Sequence, residues 1–268
     1  MTAEAKGGRA AEGLVVEGLR KHYGDHTAVD GVSFRLAPGA SLAIVGESGS
    51  GKTTTVRMLV GLERPDGGTV RLDGRDRSAP PRRRARRLAR AREIQMVFQD
   101  PYLSLDPRVT VTGCLDEVLR LHTDLDRAAR GTRVTRLLDQ VGLGTREAAA
   151  LPRDLSGGQR QRVAIARALA VEPRVLVLDE AVAALDVSIQ AQILELLARI
   201  RTASGIGYLF VTHDLAVVRH IADEVLVLKS GRIVESGPVP QVLETPEHPY
   251  TRTLLASVPR RRHFPTDR

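Results

Sequence analysis

Residues 46–53 read GESGSGKT, a glycine-rich run that fits the pattern G-x-x-x-x-G-K-[S/T]. It follows the short apolar run SLAIVG, as a buried strand should, and opens onto a stretch of helical character. No other segment constrains the fold so tightly, because the pattern functions in one context only: strand, tight loop, helix. Its glycines let the backbone bend until N–H groups point inward at phosphate oxygens, and the following helix presents its positive end to them. Lys52 supplies a point charge for β and γ phosphates. Thr53 offers a hydroxyl to Mg²⁺, a hard cation that prefers oxygen ligands.

A site of this kind needs an acidic element on a neighbouring strand, and VLVLDE at residues 175–180 supplies one. Four apolar residues bury the strand and deliver two carboxylates to its end. Asp179 would hold Mg²⁺ directly or through water, and Glu180 would polarise the attacking water as general base. Taken alone the segment is equally a buried strand ending in a charged turn; the phosphate loop gives it chemical meaning.

The rest of the chain reads as an α/β core. Residues 14–71 run strand, turn, strand, glycine-rich loop, helix, strand, and GGTVRLDG at residues 67–74 reads as a hairpin arm. From about residue 108 to 151, Leu115, Val118, Leu119, Val134, Leu137, Leu138 and Val141 recur at three- and four-residue spacings, the mark of an inserted helical subdomain. A helix over residues 155–170, the strand VLVLDE, a helix over residues 189–201, the strand YLFVTH, a short helix and the hairpin EVLVLKSGRIVESG follow. This alternation predicts a mainly parallel sheet. The segment after Pro246 reads as a short appendage, residues 1–13 as a disordered tail without the apolar core of a signal peptide, and residues 259–268 as a basic tail.

Composition narrows the function classes. At 268 residues and 42% hydrophobic, the chain can bury a sizeable core. Cys114 is its one cysteine, which excludes a disulfide or cysteine metal cluster within one copy and fits a reducing compartment. No uncharged apolar run approaches the roughly 20 residues that span a bilayer, so a membrane role must pass through a partner. The formal charge of +8 raises nucleic acid or an anionic membrane as partners. Much of the excess sits in residues 82–92, a run without aromatics in a chain that is 3% aromatic. Base stacking needs more than that, so the run reads as the solvated face of a helix or a loop edge.

Residues 155–159 read LSGGQ and continue as RQRVAIARAL, and here the chain closely resembles the ABC ATPase family. Physically, LSGGQ is a serine and two glycines at a helix start, a second anion-binding nest. The resemblance implies an α/β P-loop NTPase core of the ABC ATPase type over residues 14–258, with an antiparallel β subdomain and an inserted α-helical subdomain at about residues 100–170. It implies ATP and Mg²⁺ as cofactors, and contact with the nucleotide by Gly46, Glu47, Ser48, Gly49, Ser50, Gly51, Lys52, Thr53 and Thr54. It also implies a head-to-tail dimer in which Ser156, Gly157, Gly158 and Gln159 cap the ATP of the other subunit. Tyr23 matches the aromatic that stacks on adenine. Gln99, in MVFQDP, matches the glutamine that touches Mg²⁺ and the attacking water. Asp186 matches the aspartate that communicates across the dimer, and His213 the histidine that contacts the γ-phosphate.

Within the family, QDPYLSLDPRVTV, DEAVAALDVSIQAQIL and HPYTRTLLASVP look like the oligopeptide and dipeptide importer branch, which also moves nickel and other small solutes. The branch resemblance implies an ATP-hydrolysing subunit on the cytoplasmic face of the membrane. Its partners would be a second ATPase subunit, the same chain or a homologue, transmembrane permease subunits and, indirectly, an extracytoplasmic solute-binding protein. Two departures stand out. Ala183 replaces the serine usual in that branch, and the cysteine-bearing extension after HPYT is absent, so an iron–sulfur cluster is not expected. The alternative from another class is a soluble ABC-type ATPase acting on nucleic acid or ribosomes. Such relatives carry paired cassettes, long coiled coils or zinc-binding inserts, so no nucleic-acid partner is expected.

Overall fold

The structure, a computed structural model, describes residues 12–257. β1 (Leu14–Tyr23) and β2 (His26–Leu36) carry the mixed buried and exposed positions of strands with one wet face. β3 (Ser41–Val45) is buried at every residue and leads through the glycine loop into α1 (Lys52–Val60). β4 (Gly67–Leu72) and the short β5 (Arg75–Asp76) complete an antiparallel sheet in the order β2-β1-β4-β5. α2 (Arg84–Glu93) carries the arginine run, buries none of its residues, and passes into β6 (Ile94–Val97).

The helical insert follows as α3 (Val111–His122), α4 (Arg127–Gln140), α5 (Thr145–Ala149) and α6 (Gly157–Leu169). Thr110, Asp126 and Ser156 start three of these helices by accepting backbone N–H bonds from Gly113, Ala129 and Gln159. Strands and helices then alternate: β7 (Val175–Asp179), α7 (Val187–Ser204), β8 (Gly207–Val211), α8 (Leu215–Ile221), β9 (Glu224–Lys229) and β10 (Arg232–Pro238). α9 (Val239–Glu244) and α10 (Pro249–Ala256) close the described chain.

The second sheet has the order β10-β9-β3-β8-β7-β6, parallel throughout except for β10 at its edge. β3 explains how the layers hold together. Successive strand side chains face opposite ways, so Leu42 and Ile44 enter a core with Leu14, Leu36, Leu59 and Leu209. Ala43 and Val45 enter the other core, with Leu115, Leu137, Ile165 and Leu197. With both faces covered, the run at residues 42–45 is apolar throughout, and each large side chain so buried contributes about 1.5–3 kcal/mol.

Two expectations change. α7 begins at Val187 and ends at Ser204, wider than residues 189–201, because Asp186 caps it and Gly205 takes the left-handed conformation that stops it (φ 68°). The segment after Pro246 is more than an appendage: α10 buries Tyr250, Thr251 and Leu254. His248 caps that helix and Pro249 sits at its first position, a start signal that prolines alone had obscured. The tails read over residues 1–13 and 259–268 fall outside the described residues, apart from Glu12 and Gly13. The Gly13 N–H donates to the Asp73 carboxylate at 3.1 Å. No helix among the described residues is long and apolar enough to cross a membrane. Cys114 is a buried free thiol whose pKa burial pushes up.

Candidate functional site

Strand register brings the chemistry to one edge of the six-stranded sheet. Ile44 of β3 and Asp179 of β7 both lie opposite Val211 of β8, so these three neighbouring strands end level. Beyond their carboxyl ends stand the glycine loop, Glu180 and His213, the crevice where open α/β sheets bind ligands.

The loop folds as its glycines require. Gly51 has a φ of 102°, and a Cβ there would sit 2.4 Å from the Ala28 carbonyl oxygen. Gly46 is pressed against β9 just as closely, 2.2 Å from a Cβ to the Leu228 oxygen. Gly51 precedes α1 without any side-chain cap, which leaves the first helical N–H groups for a ligand. Lys52 is buried, and its ammonium donates to the carbonyls of Gly46 and Glu47 at 2.8 Å each. Burial is the largest influence on it and lowers its pKa, against the opposing charges of Glu180, Asp179 and Glu47. Glu47, Ser48, Gly49 and Thr53 are exposed on the open side, with Thr54 half-buried and Ser50 buried.

Asp179 faces the same space under the opposite bias. Burial first, then the neighbouring Glu180 charge, raises its carboxyl pKa, while Arg57 and Lys52 pull it down. Glu180 adopts φ 48°, a left-handed conformation that costs a non-glycine residue about 1–3 kcal/mol. Its N–H donates to the Val211 carbonyl at 2.8 Å and its own carbonyl accepts from Ala183 at 3.0 Å, so both sides of the strained residue are pinned. The Glu180 carboxylate meets Nδ1 of His213 at 3.1 Å. Gln99, two residues beyond the Val97–Leu178 pairing, is exposed and lines a cavity of about 300 Å³ with Tyr102, Gly157, Arg160 and Leu185. Arg160 stacks over the Tyr102 ring at 4.6 Å, joining the segment after Gln99 to the start of α6.

A family model described as ABC transporter matches residues 29–183, more than half of the chain and the whole stretch from the glycine loop through Glu180. This chain belongs to the ABC transporter family. A second model, the oligopeptide/dipeptide transporter C-terminal region, matches residues 234–265 of the cassette. The cassette is 45% identical to the di/tripeptide transport ATP-binding protein DppF of Pseudomonas aeruginosa over 245 residues, 91% of this chain and 75% of that protein. It is 50% identical to the glutathione import ATP-binding protein GsiA of Escherichia coli K12 over 87% of this chain; there it spans only 37% of the relative's length. Among solved structures, cbiO1 of Clostridium perfringens, part of an ABC transporter complex, superposes with a TM-score of 0.79 at 30% identity, covering 88% of this chain and 92% of that one. A dimeric bacterial ABC transporter cassette superposes at 0.74 with 28% identity, over 84% and 98% of the two chains. Its post-hydrolysis state was solved with ADP and phosphate.

The cassette does not gather every expected residue in one place. Ser156 and Gln159 form a reciprocal cap at the start of α6, where the Gln159 N–H donates to the serine hydroxyl at 3.2 Å and the Ser156 N–H to the glutamine side chain at 2.8 Å. Gly158 is packed so tightly on α7 that a Cβ would meet Ile189 Cγ2 at 2.5 Å. Asp186 caps α7, accepting from the Ile189 N–H at 3.0 Å, and that bond holds its carboxyl below the usual range. Tyr23 is 46% exposed at the end of β1, with the Lys21 ammonium 5.2 Å from its ring. Tyr250 was missed as a site residue altogether: its hydroxyl accepts the Glu47 N–H at 3.1 Å. The signal available was HPY itself, an aromatic in the first turn of a helix with no assigned partner.

Proposed function

We propose that the cassette binds and hydrolyses ATP at the edge formed by residues 46–54, 179–180 and 213, and that it energises import of peptides or similar small solutes. The observation that carries this reading is the Glu180–His213 contact at the end of the strand beside the glycine loop, with buried Lys52 facing the same carboxylates. The relatives named for di/tripeptide and glutathione import, and the C-terminal region match, favour peptide-like solutes. Import across a membrane would need permease subunits beside the cassette, whose described residues include no helix able to span one.

Backbone N–H groups of the loop and Lys52 hold the β and γ phosphates, while Tyr23 offers a face to the base. Glu180 takes the proton of the attacking water, and His213 orients the carboxylate and reaches the γ-phosphate. The donors available to a metal are the hydroxyl of Thr53, the carboxylate of Asp179 and the amide oxygen of Gln99, an all-oxygen set suited to Mg²⁺. Among the described residues no group of three or more His, Cys, Asp or Glu could hold a metal alone, so such an ion would share the phosphate oxygens. When bound, Mg²⁺ would neutralise charge developing on those oxygens. Ser156, Gly157, Gly158, Gln159 and Asp186, which lie at the helix starts rather than in the loop's own crevice, act on a second subunit's nucleotide in a head-to-tail dimer. The dimeric state of a structural neighbour supports the pairing of two subunits.

ATPase assays with and without Mg²⁺, beside recovery of partners from solubilised membranes, test the reading. Magnesium-dependent turnover with a co-purifying permease is expected. Turnover stimulated by nucleic acid or ribosomes without a membrane partner would overturn it in favour of a soluble ATPase.

A further inference from the structure

The phosphate loop is held from outside as well as from within. On the inside, Lys52 donates to the Gly46 and Glu47 carbonyls. On the outside, the Glu47 N–H donates to the Tyr250 hydroxyl at 3.1 Å. The Gly46 carbonyl and the Glu47 N–H belong to one planar peptide unit, whose two dipolar ends point in opposite directions. A single peptide therefore stands between Tyr250 and the phosphate lysine. Donation from the N–H end to the Tyr250 hydroxyl fixes the plane of the unit and polarises its carbonyl toward Lys52.

Tyr250 is itself well anchored. It is only 7% exposed, and the Lys229 ammonium lies 4.7 Å from its ring centroid, which ties α10 to the end of β9. The turn before α10 is clamped by Glu235 of β10, whose carboxylate accepts the N–H groups of Glu247 at 2.8 Å and His248 at 3.2 Å. β9 also backs Gly46 directly through the Leu228 carbonyl. The C-terminal helix thus places one rigid acceptor against the first peptide of the loop, 203 residues away in sequence.

We propose that Tyr250 is a positioning residue for nucleotide binding: its hydroxyl sets the Gly46–Glu47 peptide, and through that peptide the Lys52 ammonium, in the orientation that receives phosphate. The C-terminal region is then part of the nucleotide site's support, and its docking tunes ATP affinity. The inference rests on the reading of residues 46–53 as the nucleotide cradle.

The test compares the full chain with its Tyr250→Phe and Lys52→Ala variants by titration with a fluorescent ATP analogue in Mg²⁺, by ATPase kinetics and by Tm. Tyr250→Phe keeps the ring, its burial and the Lys229 contact and removes only the acceptor. The dissociation constant is expected to rise about three- to tenfold, the scale of one hydrogen bond. KM for ATP should rise with it, by a larger factor than kcat falls, at a nearly constant Tm. A dissociation constant within about twofold of the parent, when Lys52→Ala has lost binding, overturns the positioning role alone. A fall in Tm with KM unmoved assigns Tyr250 to packing and also overturns it. If Lys52→Ala binds the analogue like the parent, the cradle reading itself fails.

Discussion

Nδ1 of His213 stands 3.1 Å from Oε1 of Glu180, joining the residues that follow β8 and β7 across the edge of the sheet. The Val211 and Ala183 bonds pin the Glu180 backbone in a left-handed conformation, and the His213 contact orients the carboxylate it carries. Orientation of this kind is what a general base needs before substrate arrives.

Glu180→Gln should therefore keep the shape and the His213 contact while removing the proton acceptor. ATP affinity is expected to stay near the parent value while turnover falls on the order of 10²- to 10⁴-fold. Gel filtration with ATP should then show an accumulated dimer. Full turnover in this variant would take Glu180 out of the base role.

Asp179→Asn separates stability from function. The Asp179 carboxyl has a folded pKa above its ordinary value, chiefly because of burial and then Glu180. Between the ordinary aspartate range and that raised value, the folded chain binds more protons than the unfolded one, so stability falls as pH rises through the window. The Asn variant lacks this loss. Its Tm should exceed the parent's near neutral pH and converge with it under acid conditions, while magnesium-dependent ATP binding weakens. Equal Tm profiles against pH would remove the burial and charge penalty assigned to the Asp179 carboxylate.

Gly158→Ala should cost about 1–3 kcal/mol, because the added methyl meets Ile189 Cγ2 at 2.5 Å on a β-branched side chain that cannot swing aside. Alanine's better helix propensity, worth at most about 1 kcal/mol, opposes the clash without cancelling it. Thermal unfolding should show the drop, and adding Ile189→Ala should recover part of it. Independent, additive losses in the double variant would contradict the contact.

Ser156→Ala removes the cap that accepts the Gln159 N–H and should cost about 1 kcal/mol, a Tm shift of about 2–4 °C for a chain of this size. ATP binding by isolated subunits should persist, since Ser156 lies at the start of α6 rather than in the loop. ATP-driven dimerisation, followed by light scattering, should weaken. Loss of binding in the monomer would place Ser156 in the subunit's own nucleotide site.

Much of the architecture was legible because it depends on neighbours along the chain. The glycine loop, the apolar runs at residues 42–45 of β3 and 175–178 of β7, and the three- and four-residue apolar spacing of the helical insert each carry their own local rule. Asp186 and Ser156 show where such rules blur: the same oxygens that suggest contact across a dimer also cap their own helices. The arginine run at residues 82–92 reads as the solvated face of a helix or a loop edge, and of the two the structure shows the helix: α2, which buries none of its residues.

The sequence by itself determined that a strand, a glycine turn and a helix would form at residues 41–60, because backbone sterics and helix-start chemistry act over a few residues. Only the tertiary structure decided that β7 and β8 lie side by side with Asp179 opposite Val211, which brings Glu180 to His213. It alone turned an apparent appendage into the support that sets Tyr250 against Glu47. Those contacts depend on strand order and on helices docking against a shared core, and no local spacing encodes which distant segments will meet.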